Sequence, residues 1–138
     1  MTELSVSRRQ ARRDAMVILY QRDITGAPLV ELYASLEHDT GHSPDRFTIL
    51  EVEGVTSGAR QLDAAIDAAS EGWPAHRMAA LERNILRLAL YEMREIEDIP
   101  IEVSIDEAVA LSKRFCSREA ATLVNGILGK IAEEGRSQ

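Results

Sequence analysis

LERNILRLALYEM, residues 81–93, decides the class of fold. Leu81, Ile85, Leu88 and Glu92 recur at spacings of three and four along one side, and Leu86, Leu90 and Met93 add a second apolar row. The spacing predicts a helix within residues 75–98, and a helix apolar over so much of its circumference is a central one, covered by others on several sides. Composition points the same way. Of 138 residues 45% are hydrophobic but only 4% aromatic, so the core is built from Ala, Leu, Ile and Val, which favours helices over sheets. The length is that of one domain, 1–138, or of two small helical halves, about 1–72 and about 73–138, sharing a core.

Outward from that helix, capping residues and breakers divide the chain. Ser7 is the expected N-cap of a helix reaching about residue 22, with Ala11, Ala15, Ile18, Leu19 and Arg22 along its core stripe. TGAP at 25–28 interrupts, and Pro28 is expected at the first position of a short helix to about Glu37, followed by the loop HDTGHSP. Ser43 is read as a cap with Pro44 opening a long helix to about Ser70, bent near Gly54 or Gly58. IPIEV, 99–103, is read as a connector because Pro100 cannot continue a helix, and Ser104 with Glu107 as a capping box opening the next one. Ser117 is expected to cap a last helix closed by Gly135, in which Gly126 and Gly129 allow close helix approach and Asn125 satisfies a backbone group. This makes an all-α chain of six or seven helices without strand or repeat.

Several function classes are excluded. The lone Cys116 cannot form an internal disulfide, which fits a reducing compartment and a cytoplasmic location. MTELSVSRRQ has no apolar h-region, and no uncharged apolar run approaches the roughly 18 residues of a membrane span. There is no phosphate-cradling glycine loop, and His38 and His42 sit near glycine and proline without further soft ligands. Cys116 has no nearby histidine to activate it. No catalytic residue, metal or cofactor is expected.

Charge is informative. The net is −7. Within residues 1–22, five arginines against Glu3 and Asp14 leave +3, so the rest of the chain carries −10. Arg8, Arg9, Arg12, Arg13 and Tyr20 fall in one helical sector beside the apolar stripe. The i+4 neighbours of Arg8 and Arg9 are themselves arginines, which repel rather than pair. Clustered arginines beside an aromatic suit a polyanion, with phosphate and base contacts.

Four blocks in this order resemble the NusB family of bacterial transcription antitermination factors: RRQARRDAMVILYQ at 8–21, LERNILRLALYEM at 81–93, IPIEVSIDEAVALSKRF at 99–115 and LVNGILGKI at 123–131. The resemblance implies two small helical bundles packed together. It implies binding to single-stranded boxA RNA of ribosomal RNA leader transcripts, jointly with NusE, a ribosomal small-subunit protein, within an RNA polymerase antitermination complex. By position Arg8, Arg9, Arg12 and Arg13 inherit RNA binding, and so does Tyr20 through the family's LY pair. The NusE surface is expected around Glu82, Arg83 and Glu102.

Two features depart from the family pattern. Ala120 and Ala121 replace polar or basic residues at the start of the last helix, and MTELSVS lacks lysine. Two other readings stay open: an RNA-binding fragment of a ribosomal RNA cytosine methyltransferase, which shares the domain, and a homodimeric protein-interaction module with its arginines covered. The sequence leaves monomer and homodimer undecided.

Overall fold

The computed structural model describes residues 6–136, so the first residues of MTELSVS, with Glu3, lie outside it. Six α-helices follow in order: α1 (Arg8–Thr25), α2 (Leu29–Thr40), α3 (Arg46–Ala69), α4 (Ala80–Glu95), α5 (Ile101–Phe115) and α6 (Arg118–Arg136), with a 3-10 turn at Ala75–Arg77 before α4. No strand occurs among the described residues.

Local signals place most boundaries. The Ser7 hydroxyl accepts from the Gln10 amide at 3.1 Å and the Ser117 hydroxyl from the Ala120 amide at 3.0 Å, so both expected caps are present. α1 and α2 end on Gly26 and Gly41, whose φ of 71° and 80° is the left-handed conformation that terminates a helix without a Cβ clash. α1 thereby runs three residues past the expected end. α2 runs through His38 to Thr40, so the first three residues of the expected HDTGHSP loop are helical.

Several expectations are corrected. The cap of α3 is Asp45, whose carboxylate accepts from the Phe47 amide at 2.8 Å, rather than Ser43. α5 begins at Ile101, because Pro100 stands at its N-cap with φ already helix-compatible at −57°. The last three residues of IPIEV are therefore helical, and Ser104 and Glu107 are interior residues that cap nothing. A Cβ at Gly126 or Gly129 would meet nothing within 4 Å, so neither serves a close approach. Gly135 lies inside α6 rather than beyond it.

The packing follows the apolar stripes. α1 and α3 run in the same direction. Near their starts the Thr48 hydroxyl donates to the Ala11 carbonyl at 3.0 Å, and near their ends Asp23 and Asp63 both meet Arg87 of α4. α4 runs oppositely between them. It packs on α1, α3, α5 and α6, and its Ile85, Leu86, Leu88 and Leu90 are buried, which is the central position its sequence predicts. α5 folds back on α4 as a hairpin, and α6 covers the α3–α4–α5 side with Val124, Ile127 and Leu128. One continuous apolar core, from Ala15 to Leu128, contains residues of all six helices.

Candidate nucleic-acid interface

The N-terminal half of α1 lies against the start of α3 and the middle and end of α5, so its four arginines meet different surroundings. Arg8 is exposed, its guanidinium 3.9 Å from the centroid of the Phe47 ring. That cation–π contact holds the side chain while leaving its outer edge to solvent. Arg9 is exposed and forms a two-bonded fork with Glu107 of α5, Nε to Oε2 at 3.1 Å and Nη2 to Oε1 at 2.9 Å. Arg13 is half-buried, 5.6 Å from the Phe115 ring, and exposed Arg114 lies 5.2 Å from the same ring.

Arg12 departs from the expected row. It is 6% exposed and donates to Glu92 at 2.8 and 3.0 Å, and the Ser104 hydroxyl donates to the same carboxylate at 2.9 Å. Next to this group lies Glu51, fully buried, with neither carboxyl oxygen hydrogen-bonded. Burial first, and then its approach to the Glu92 carboxylate and the charge of that group, push the Glu51 carboxyl up to about 11, so it is a neutral acid at physiological pH. Burial also works to raise Glu92. The Glu51 acid, the Arg12 fork and Ser104 outweigh it and hold Glu92 below the usual carboxylate range. Arg12 is thus a buried cation neutralised by one carboxylate, and a phosphate in solvent does not reach it. Its helical sector is the expected one, but the partner 80 residues away turns it from a surface group into an anchor.

Arg9, Arg13, Glu107, Arg114 and Phe115 border a groove of about 230 Å³ between α1 and α5, its apolar lining from Ala110 and Leu111. Exposed Lys113 and Arg118 line a second depression beyond it, with Thr122 and Asn125. The basic surface therefore continues across α5 to the start of α6. The sequence reading did not include Lys113, Arg114 and Phe115 in this basic surface, where the structure places them. Their sequence signal was the KRF run at the end of α5, read only as an influence on Cys116. Ala120 and Ala121 are 4% and 3% exposed and belong to the core, so the surface at that end of α6 is formed by other positions.

Tyr20 is half-buried on α1, seven residues or about 10 Å beyond Arg13 along the axis. The three expected partner residues do not form one patch. The Arg83 guanidinium is committed to Asp23 at 2.8 Å and to the Met78 carbonyl at 3.2 Å. Glu82, half-buried, lies toward Cys116, whose thiol is pushed up by burial and then by that carboxylate. Glu102 is exposed at the start of α5, about 20 Å from its end where Glu82 lies. No group of three or more His, Cys, Asp or Glu able to hold a metal occurs among the described residues. None of the described helices is long and apolar enough to cross a membrane.

A family model described as the NusB family matches residues 9–133. The chain belongs to the NusB family. Among similar NusB-family proteins, the transcription antitermination protein NusB of Rubrobacter xylanophilus is 46% identical over 123 residues, covering 89% of this chain and 88% of that protein. That of Pelotomaculum thermopropionicum is 41% identical over 130 residues, covering 93% and 90%. A structure of NusB from T. maritima superposes with a TM-score of 0.83 at 30% identity, covering 95% of this chain and 94% of that one. A crystal structure of antitermination factors NusB and NusE in complex with dsRNA shares the NusB fold, with a TM-score of 0.82 at 23% identity, covering 92% and 96%.

Proposed function

We propose that this chain is a non-enzymatic transcription antitermination factor of the cytoplasm. In this reading it binds single-stranded boxA RNA of ribosomal RNA leader transcripts jointly with NusE, within an RNA polymerase antitermination complex. The observation that carries the reading is the α1–α5 groove. Three guanidinium groups border it, and two of them flank one aromatic ring, the combination of backbone cations and stacking surface that single strands require. Arg8, Arg9, Arg13 and Arg114 take the phosphates, Phe115 and Tyr20 offer faces for bases, and Arg12 fixes α1 from beneath. The names of the relatives support the antitermination role, and the NusB–NusE–RNA neighbour supports the choice of partners.

The test is a titration with boxA-like single-stranded RNA across a salt series, with and without NusE, and with a duplex of the same sequence as control. Four engaged arginines give a slope of log K against log salt of about −0.7 × 4, roughly −3. Arg13→Ala flattens it by about 0.7. NusE raises affinity for the single strand, and by linkage RNA raises affinity for NusE by the same factor. An unchanged slope in the variant, or tighter binding to the duplex, overturns the reading.

A further inference from the structure

The Arg9–Glu107 fork occupies the guanidinium edge that a phosphate would use. Nε and Nη2 are the two parallel donors that match a carboxylate or a phosphate equally well, and both are taken by Glu107 at 3.1 and 2.9 Å. The two partners are unequally held. The Arg9 side chain is 75% exposed, whereas that of Glu107 is 17% exposed and stands in the groove on α5. Arg9 can therefore swing away, but the negative charge stays among Arg9, Arg13 and Arg114 whichever way it turns. Arg12 also lies within electrostatic reach of Glu107, but its own fork is spent on Glu92. An ion pair this exposed is weak and readily exchanged.

We infer that Glu107 is a built-in competitor for RNA phosphate, which sets the threshold at which this face accepts a strand. The inference rests on the RNA reading of the groove. Binding is then an exchange, in which phosphate replaces the carboxylate on Arg9 while Glu107 remains as a nearby repelling charge. Two consequences follow. Weakly held polyanions are turned away, and removal of the Glu107 charge strengthens RNA binding although it deletes a contact of the folded protein. A purely positioning role, with Glu107 aiming Arg9 at the RNA, has the opposite sign.

The experiment compares wild type, Glu107→Gln, Arg9→Ala, the double variant and Arg13→Ala, each shown by thermal melting to be folded. A boxA-like oligoribonucleotide is the probe, with oligouridylate of equal length as the control strand. Glu107→Gln is expected to bind both RNAs roughly two- to five-fold more tightly, the range for releasing an exposed ion pair. Its salt slope is expected to stay at roughly −3, because Arg9 meets phosphate in both proteins. The gain shrinks when Arg9 is already alanine, because only the repulsion by Glu107 is then left to relieve. Equal or weaker binding by Glu107→Gln, or the same gain without Arg9, overturns the inference while leaving the groove an RNA site if Arg13→Ala weakens binding. If neither Arg9→Ala nor Arg13→Ala weakens it, the RNA reading falls and the competitor role falls with it.

Discussion

Arg87 of α4 grips Asp63 of α3 through two parallel bonds, Nε to Oδ1 and Nη2 to Oδ2, both 2.7 Å long. The same guanidinium reaches Asp23 of α1 at 3.5 Å and donates to the Asn84 amide oxygen at 3.2 Å, so one side chain ties three helices. With only 13% of the Arg87 side chain exposed, solvent screens this network weakly. Arg87→Ala is expected to cost about 2 kcal/mol, the range for charged hydrogen bonds lost from a partly buried site. Arg87→Lys restores little, since an ammonium cannot supply the fork. Guanidinium-chloride midpoints of the three proteins check both expectations.

Arg12 and Arg13 are neighbours in sequence with separable roles. Arg12→Ala leaves the Glu92 charge buried without its cation and is expected to destabilise the fold by roughly 3–5 kcal/mol. Arg13→Ala is expected to change stability by no more than about 0.5 kcal/mol and to weaken RNA binding. Denaturation and RNA titration of the two variants should give this crossed pattern. Equal effects on both readouts would contradict the division.

The two buried glutamates give stability opposing pH dependences. Glu51 keeps its proton up to about 11 when folded, whereas its ordinary value is 4.5. Its contribution is therefore full below the ordinary value and lost as pH rises toward the folded one. Glu92, held low, contributes above its ordinary value and loses that contribution as pH falls through its depressed folded value. Glu51→Gln removes the first dependence, so between about pH 6 and pH 9 its stability should decline less than that of wild type. Urea midpoints across that interval measure the difference, and parallel curves would contradict the assignment.

Two glycines of α3 should respond to alanine with opposite signs. A Cβ at Gly54 collides with the Tyr91 ring, which is half-exposed and can turn outward, so Gly54→Ala is expected to cost about 1 kcal/mol. At Gly58 a Cβ meets nothing within 4 Å, and Gly58→Ala should stabilise by roughly 0.5–1 kcal/mol through helix propensity alone. Thermal melts of the two single variants decide this.

What could be read from the sequence is what depends on neighbours within a few residues. The Ser7 and Ser117 caps, the breaks at Gly26 and Gly41 and the apolar rows of α4 are of that kind. Ser104 and Glu107 match the S-x-x-E pattern, yet the pattern is the same inside a helix, and Pro100 had already begun this one. The fate of Arg12 is not local, since it depends on Glu92. A clue was present all the same: Glu92 continues the row Leu81, Ile85, Leu88, and a carboxylate on a core row requires a buried donor. Arg114 and Phe115 became part of the site only when α5 was laid against α1, a juxtaposition that no spacing within KRF encodes.

The fork from Arg12 spans 80 positions and that from Arg9 spans 98. Synthesis proceeds from the N-terminus, so the arginine helix emerges first and its counter-charges last. Until α4 has left the ribosome Arg12 lacks Glu92, and until α5 has followed Arg9 lacks Glu107. The nascent chain therefore passes through an interval in which its positive end is at its most promiscuous, beside a particle made largely of RNA. Completion of α4 and then of α5 ends that interval, the first withdrawing Arg12 into the core and the second pairing Arg9, so the charge pattern of this face is acquired late in translation.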